Sequence, residues 1–323
     1  MSIQWHNKRQ ILALLSSDHF VSGEQLAQEL AISRSAIQQQ IEAMGEFGID
    51  IYSVKGKGYK LATPICLLDE TQLLQQLSNR CFYFNDIPST NAFMLTHGQE
   101  LKSGDICLAE YQSAGRGRRG RQWLSPYGHH IYASLYWRLE QGMPQAMGLS
   151  LVVACSIVTV LKQMGVSGLG LKWPNDIYLN DKKLAGILIE LINSAEQACQ
   201  LVIGFGINMS MSASQGELID QPWSDLSTLE SMPDKTELVI AVHKQLKQDL
   251  KRFEAAGLKD FIDAWQADDI FMGREVSLLM APNEVTGIYK GIDEQGAVLL
   301  QTAQGLQAFV GGEISLRATN KMA

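Results

Sequence analysis

Cysteine is sparse and scattered in this chain of 323 residues: Cys66, Cys81, Cys107, Cys155 and Cys199 form no C-x-x-C pair and no zinc-like spacing. That excludes a disulfide framework and predicts reduced thiols. The six histidines make no H-E-x-x-H pattern, and adjacent His129 and His130 direct their rings apart, so no encoded metal site is expected. Long apolar runs are missing too. The most hydrophobic, Leu149 to Leu161, is broken by Ser150, Ser156 and Thr159. It is too short to span a bilayer, so a buried helix and no membrane partner are expected. The opening residues, with Trp5, His6, Lys8 and Arg9, lack the apolar core of a secretory signal, which predicts a cytoplasmic protein. There is no basic surplus: 27 Lys and Arg against 34 Asp and Glu leave a net charge of −7. Such a chain cannot coat nucleic acid through bulk charge, and any DNA contact must be local and geometric. Nor does a Ser-His-Asp or Cys-His arrangement, a carboxylate pair or an internal repeat stand out.

What is present begins with an ordinary soluble composition, 46% hydrophobic and 19% charged, on a chain longer than one typical core. The texture divides it into units over residues 1–63, 64–270 and 271–323, with Thr63-Pro64 as the first linker. In the first unit, Ile11, Leu12, Leu14 and Leu15 predict a short amphipathic helix. Ser22 and Gln25 fit a capping box opening a helix with Leu26, Ala27 and Leu30 on one face. Ser33 caps another through about Met44, with Ile37, Ile41 and Met44 inward. Ile49–Val54 and Tyr59–Leu61 flank Lys55-Gly56-Lys57-Gly58 as a hairpin. Two short helices, a tight turn and a hairpin predict a winged helix-turn-helix. Its outward residues, Arg34, Ser35, Gln38, Gln39 and Gln40, suit base edges, and Lys55, Lys57 and Lys60 suit phosphates. Counting Lys8 and Arg9 as well, six cations balance six carboxylates, which predicts weak DNA binding by a monomer and a need to dimerise. A small protein-interaction module is the alternative.

The second unit reads as a large α/β region, and beyond Gly273 short apolar runs (Val276–Met280, Val285–Ile288, Ala297–Gln301 and Gln307–Val310) predict a small antiparallel barrel. The most informative stretch is Ala114-Gly115-Arg116-Gly117-Arg118-Arg119-Gly120-Arg121, where four guanidinium groups crowd into six residues. It satisfies G-x-G-x-x-G, yet the following Gln122–Gly128 is turn-rich and opens no helix, so a dinucleotide fold is excluded. No Gly-Lys-Ser/Thr closes a Walker loop. A basic loop closing over a phosphorylated or carboxylated ligand remains, alongside a solvated basic turn. Ser89-Thr90-Asn91 at a helix start exceeds what one cap requires. Lys172 lies in an apolar strand before a proline turn, Lys183 opens the strand after a hairpin, and Gly204 and Gly206 permit close ligand approach. Arginines, lysines and amides without a nucleophile suit reactions in which the substrates supply the nucleophile, such as acyl transfer through an activated phosphate ester.

In that order and at those spacings, Ser89-Thr90-Asn91, Gly115–Gly120, Lys172-Trp173-Pro174-Asn175-Asp176 and Lys183-Leu184-Ala185-Gly186 resemble the biotin–protein ligases. With the winged helix the chain resembles the bacterial family that joins this ligase to a biotin operon repressor, and the likeness extends to Gly311-Gly312-Glu313-Ile314-Ser315. The resemblance implies a multidomain α+β fold: winged helix-turn-helix, central mixed-sheet biotin/lipoate-ligase-like domain, and SH3-like barrel. It implies attack of biotin's carboxylate on ATP, with Mg²⁺ arriving on the phosphates, to give biotinyl-5′-AMP. Transfer to a lysine of the biotin carboxyl carrier protein would follow. By the same resemblance Ser89, Thr90, Asn91 and Gln112 hold the biotin head, Gly204 lines its pocket, and Arg116, Gly117 and Arg118 cover it. Trp123 stacks beside adenine, and Arg119, Arg121, Lys172, Asn175 and Asn208 complete the adenylate site. Lys183 and Arg118 are the implied catalytic cations. An adenylate-bound homodimer would read operator DNA through Ser22, Arg34, Ser35, Gln38, Gln39, Lys55 and Lys57. A lipoate–protein ligase, a sensing repressor without catalysis, and a ligase whose winged helix no longer reads DNA are the alternatives.

Overall fold

The computed structural model describes residues 3–140, 148–195, 198–280, 283–310 and 315–318. Of the predicted barrel motif, Gly311 to Ile314 lie outside the described residues. The N-terminal unit contains α1 (Ile3–Leu14), α2 (Gly23–Leu30) and α3 (Arg34–Met44), followed by hairpin strands β1 (Ile51–Val54) and β2 (Gly58–Leu61). The Ser22 hydroxyl accepts from the Gln25 amide at 3.0 Å and that of Ser33 from Ala36 at 3.2 Å, so both caps satisfy helix-end donors. A two-way backbone bridge between Val21 and Tyr59 ties the wing to the entrance of α2. Ile11, Leu12, Leu26, Ile37, Ile41 and Met44 form the core, whereas Leu14 turns outward at 37% exposure.

Two of the six cations counted for this unit are engaged within the protein. Lys8 is buried with its ammonium over the rings of Trp5 and Phe47. Arg9 donates to Tyr83, Asn85 and the Leu68 carbonyl, and lies 3.7 Å from Glu110. Lys8 is spent inside the unit, and Arg9 fastens the unit to the middle of the chain. Trp5 stacks on Tyr127 at 4.2 Å and donates to Asp86. The docking continues where Gln215 donates to the Gly48 carbonyl and the Ser212 and Ser214 hydroxyls donate to Asp50.

The central unit comprises α4 (Glu70–Gln76), β3 (Cys81–Phe84), α5 (Thr90–His97), β4 (Ile106–Ala109), β5 (His130–Leu139), α6 (Leu149–Gln163), β6 (Leu169–Lys172), β7 (Asp176–Leu179), β8 (Lys182–Ala195) and β9 (Ala198–Asn208). After these come α7 (Ala213–Gly216), α8 (Lys235–Ala256) and α9 (Ile262–Asp268). One seven-stranded mixed sheet runs in the order β3-β4-β5-β9-β8-β7-β6, with β3 and β4 parallel and the other pairs antiparallel. The apolar run 149–161 is the buried helix α6, packed against α8. Its Ser156 hydroxyl, fully buried, donates to the buried Asp249 of α8 at 2.8 Å, so both polar groups are satisfied inside that interface.

The C-terminal unit is an antiparallel sheet of β10 (Glu275–Met280), β11 (Asn283–Ile292), β12 (Val298–Thr302), β13 (Gly305–Phe309) and β14 (Ser315–Ala318), ordered β13-β12-β11-β10-β14. It braces the central unit directly. The Trp173 indole donates to the Gly296 carbonyl at 2.9 Å, and Tyr289 donates to Asp269.

Candidate functional site

Strand pairing draws the distant motifs onto one sheet face. Ser134 lies opposite Gly204, which lies opposite Leu188. In the next row Tyr132, Gly206, Gly186, Asp176 and Lys172 follow one another across β5, β9, β8, β7 and β6. Simple alternation along β8 would put Lys183 on the face opposite Gly186 and Leu188. A bulge resets the parity: Gly186 faces Asp176, yet Lys183 faces Tyr178, two residues on along β7. Lys183 therefore shares the face of Gly186, with its ammonium 2.8 Å from Asp176.

Above this face lies a cavity of about 620 Å³, a size typical of small-molecule sites. Its floor exists because glycine omits a side chain. A Cβ on Gly206 would meet the Trp123 ring at 2.6 Å, and one on Gly204 would meet Asn91 Oδ1 at 2.1 Å. Trp123 thus rests on glycines and against Lys183, whose ammonium is 5.7 Å from the ring. Its indole N–H is buried with no partner within the protein, a donor turned toward the cavity wall.

One end of the cavity is a chain of neutral hydrogen-bonding groups. Ser89 caps α5, and the Thr90 amide and hydroxyl both donate to Gln112 Oε1, at 2.9 and 3.1 Å. Gln112 in turn donates to Ser125 at 3.1 Å. The buried Ser134 hydroxyl lies 2.8 Å from Thr90 Oγ1 and 2.5 Å from Asn91 Oδ1. Asn91 Nδ2 donates to Glu190 at 2.8 Å. The other end is charged. Arg118 donates to Asn175 Oδ1 at 3.1 Å, and burial, then the neighbouring Arg119, lowers its pKa from the ordinary guanidinium value. Lys172 donates to the Tyr178 hydroxyl at 3.1 Å and sits over the rings of Tyr178 and Phe271. The Gly117 amide donates to Arg121 O at 2.7 Å and Arg116 bridges to Gln122, so the arginine loop is folded back on itself.

Ser89, Thr90, Asn91, Gln112, Arg116, Gly117, Arg118, Arg119, Arg121, Trp123, Lys172, Asn175, Lys183 and Gly204 all line this cavity. Asn208 does not: it is buried behind the wall, donating to the carbonyls of Ser224 and Lys183. Sequence reasoning gave no role to Ser134, Asp176 or Glu190. A serine in the mostly apolar strand Ile131–Leu139, and a carboxylate ending the apolar run Leu184–Ile189, were the available signals. On the N-terminal unit, Ser22, Arg34, Ser35, Gln38, Gln39, Lys55 and Lys57 are exposed, although Ser22 is occupied as a cap and Gln38 donates to Glu42. Two expected contacts differ. Gln40 turns inward with its Oε1 buried, and Lys60 lies over Phe20 at 5.7 Å.

An α/β sheet with a basic loop over a polar cavity, fused to a winged helix-turn-helix, defines a ligand-activating transferase or ligase joined to a DNA-reading unit. Residues 82–208 match the biotin/lipoate A/B protein ligase family, residues 7–60 match an HTH domain, and residues 271–317 match the biotin protein ligase C-terminal domain. The chain is 44% identical to the bifunctional ligase/repressor BirA of Escherichia coli over 96% of its length and 97% of that protein's. It is 25% identical to the bifunctional ligase/repressor BirA of Bacillus subtilis over 96% and 98%. The solved biotin protein ligase from Aquifex aeolicus in complex with biotin and ATP aligns with a TM-score of 0.66 at 28% identity, covering 74% of this chain and 99% of that one. The chain belongs to the bifunctional ligase/repressor family: it is a biotin–protein ligase carrying a helix-turn-helix repressor unit.

Proposed function

We propose that the cavity holds biotin and ATP end to end, with biotin's ureido ring among Ser89, Thr90, Asn91 and Gln112 and the reacting phosphate beneath Arg118 and Lys183. The observation that carries this reading is the polarity of a single cavity, neutral donors and acceptors at one end and cations at the other. A carboxylate oxygen of biotin attacks the α-phosphorus, forming an O–P bond as pyrophosphate leaves. Lys183 and Arg118 stabilise the negative charge that grows on the phosphoryl oxygens. Trp123 offers the adenine a face. Arg116 and Gly117 keep water from an anhydride that hydrolyses readily. A neutral lysine amine of the carrier protein then attacks the acyl carbon and AMP departs, the amine losing its proton.

Mg²⁺ enters this proposal with the nucleotide. Among the described residues no group of three or more His, Cys, Asp or Glu stands together, which suits an ion ligated mainly by phosphate oxygens and water. Of the two carboxylates lining the cavity, Asp176 and Asp220, Asp176 stands beside Lys183 and would be the ion's protein ligand; the ion would supply charge neutralisation on the phosphates.

The carrier partner is the biotin carboxyl carrier protein, and the adenylate-bound chain pairs into a homodimer on a two-fold operator. We assign residues 1–63 to operator reading, 64–270 to catalysis and 271–323 to bracing the site, in the cytoplasm. No helix among the described residues is long and apolar enough to cross a membrane. The test is pyrophosphate release from ATP with biotin or lipoate. Release with biotin alone is expected; release with lipoate alone would replace the substrate, and none with either would overturn the reading. Sedimentation with and without biotinyl-AMP tests the assembly step, which equal masses would remove.

A further inference from the structure

One carboxylate joins the polar end of the cavity to the arginine loop. Glu190 accepts from Asn91 Nδ2 through Oε2 at 2.8 Å and pairs with Arg116 through Oε1 at 3.0 Å. Its two partners differ in setting. Asn91 is 5% exposed and held from its other side by Ser134, whereas the Arg116 side chain is 45% exposed. Behind the loop a second cavity of about 370 Å³ opens between residues 114–122 and the β8 residues Leu188 and Glu190. There the loop spans a gap, so packing does not fix it against β8. Its internal bonds, Gly117 N–H to Arg121 O and Trp123 N–H to Gly115 O, shape the loop without tying it to that strand.

We propose that Glu190 is a positioning residue that fastens the arginine loop to the polar end of the cavity, so that ordering of Asn91 and closure of Arg116 are one event. The effect on the adenylate rests on the reading of the cavity given above; the latch itself does not. A carboxylate whose two oxygens serve two partners transmits position between them. If Asn91 is displaced, Glu190 loses the donor that fixes its rotamer and Arg116 loses its anchor. With biotin among Ser89, Thr90 and Gln112, the same contacts hold the lid over the anhydride.

Glu190→Gln keeps the size and the acceptor facing Asn91 but presents an amide N–H to the guanidinium. In the ligand-free protein, exchange of the Gly117 and Trp123 amide hydrogens should accelerate about threefold to tenfold in this variant. It should accelerate equally in Arg116→Ala, and no further in the double variant. Unchanged exchange in Glu190→Gln, or additive effects in the double variant, would overturn the latch. Loss of preformed biotinyl-AMP should speed up by a similar factor in Glu190→Gln, and unchanged loss would overturn the link to ligand retention. A wild-type protein that forms no adenylate, yet loosens its loop on substitution, would keep the latch and remove the substrate assignment. Should Glu190→Gln lose its fold by circular dichroism, Arg116→Gln breaks the same pair from the exposed side, and unaltered exchange there would sink the proposal.

Discussion

A Cβ on Gly204 would sit 2.1 Å from Asn91 Oδ1, far inside contact distance, and the atom it strikes is held by Ser134. Gly204→Ala therefore pushes Asn91 off its hydrogen bonds and disturbs the end assigned to biotin. We expect the KM for biotin to rise by roughly tenfold, the scale of a small overpacking penalty, while the KM for ATP moves little. Steady-state kinetics with each substrate varied in turn provides the check, and equal rises in both would contradict the assignment of the two ends. At the other end, Arg118→Gly removes a charge-assisted bond to Asn175 together with one cation. A bond of that kind is worth about 1.5–3 kcal/mol, so biotinyl-AMP should leave roughly ten- to a hundredfold faster in rapid-mixing dissociation measurements.

Among the elements, α1 has the role least expected of it. It belongs to the DNA-binding unit, yet its Trp5 and Arg9 reach Tyr127, Asp86, Asn85 and Glu110. Glu110 lies two residues before Gln112, and Asp86 lies three before Ser89, so the docking surface and the cavity wall share two chain segments. At their centre the fully buried Glu110 is paired with Lys235 at 2.7 Å and accepts from Tyr83 and the Leu68 amide. Burial, then the Glu110 charge, pushes the Tyr83 phenol far above its ordinary pKa and keeps it a donor. Trp5→Ala deletes a side chain that is 1% exposed and should cost about 3–5 kcal/mol of docking stability. The expected signs are separate melting of the N-terminal unit in calorimetry and faster proteolysis near Thr63; a single unaltered transition would show that other contacts hold it.

For the whole molecule, the junction of the units carries a pH dependence. His129 is buried where β5 begins, against Ser210, whose hydroxyl donates in turn to the Pro64 carbonyl of the linker. Burial, then the Lys235 charge, brings its pKa down to about 4 from an ordinary 6.5. The folded protein thus refuses a proton that the unfolded chain accepts. This contribution to stability is intact above pH 6.5 and is lost as the pH falls from 6.5 toward 4. By pH 5 the loss from His129 alone should be about 2 kcal/mol. Urea unfolding at pH 7 and pH 5 measures it, and His129→Gln should flatten the difference. His130, whose ring is likewise held neutral chiefly by burial, adds a dependence of the same sign that His129→Gln leaves in place.

The reading of residues in order was enough for the helix-turn-helix, the terminal antiparallel unit and the cavity-lining motifs, because these depend on local signals. Caps at Ser22 and Ser33, period-2 strands and glycines beside basic residues act within a few positions of one another. Tertiary structure alone decided the rest. That Arg9 faces the enzyme, that Asn208 stands behind the wall, and that Glu190 bridges Asn91 to Arg116 all depend on partners tens to a hundred residues away. Lys183 is the sharpest case. Its residue type marks it as an anion ligand, but a bulge between β7 and β8 sets the face from which it points, and strand register is a property of the paired sheet.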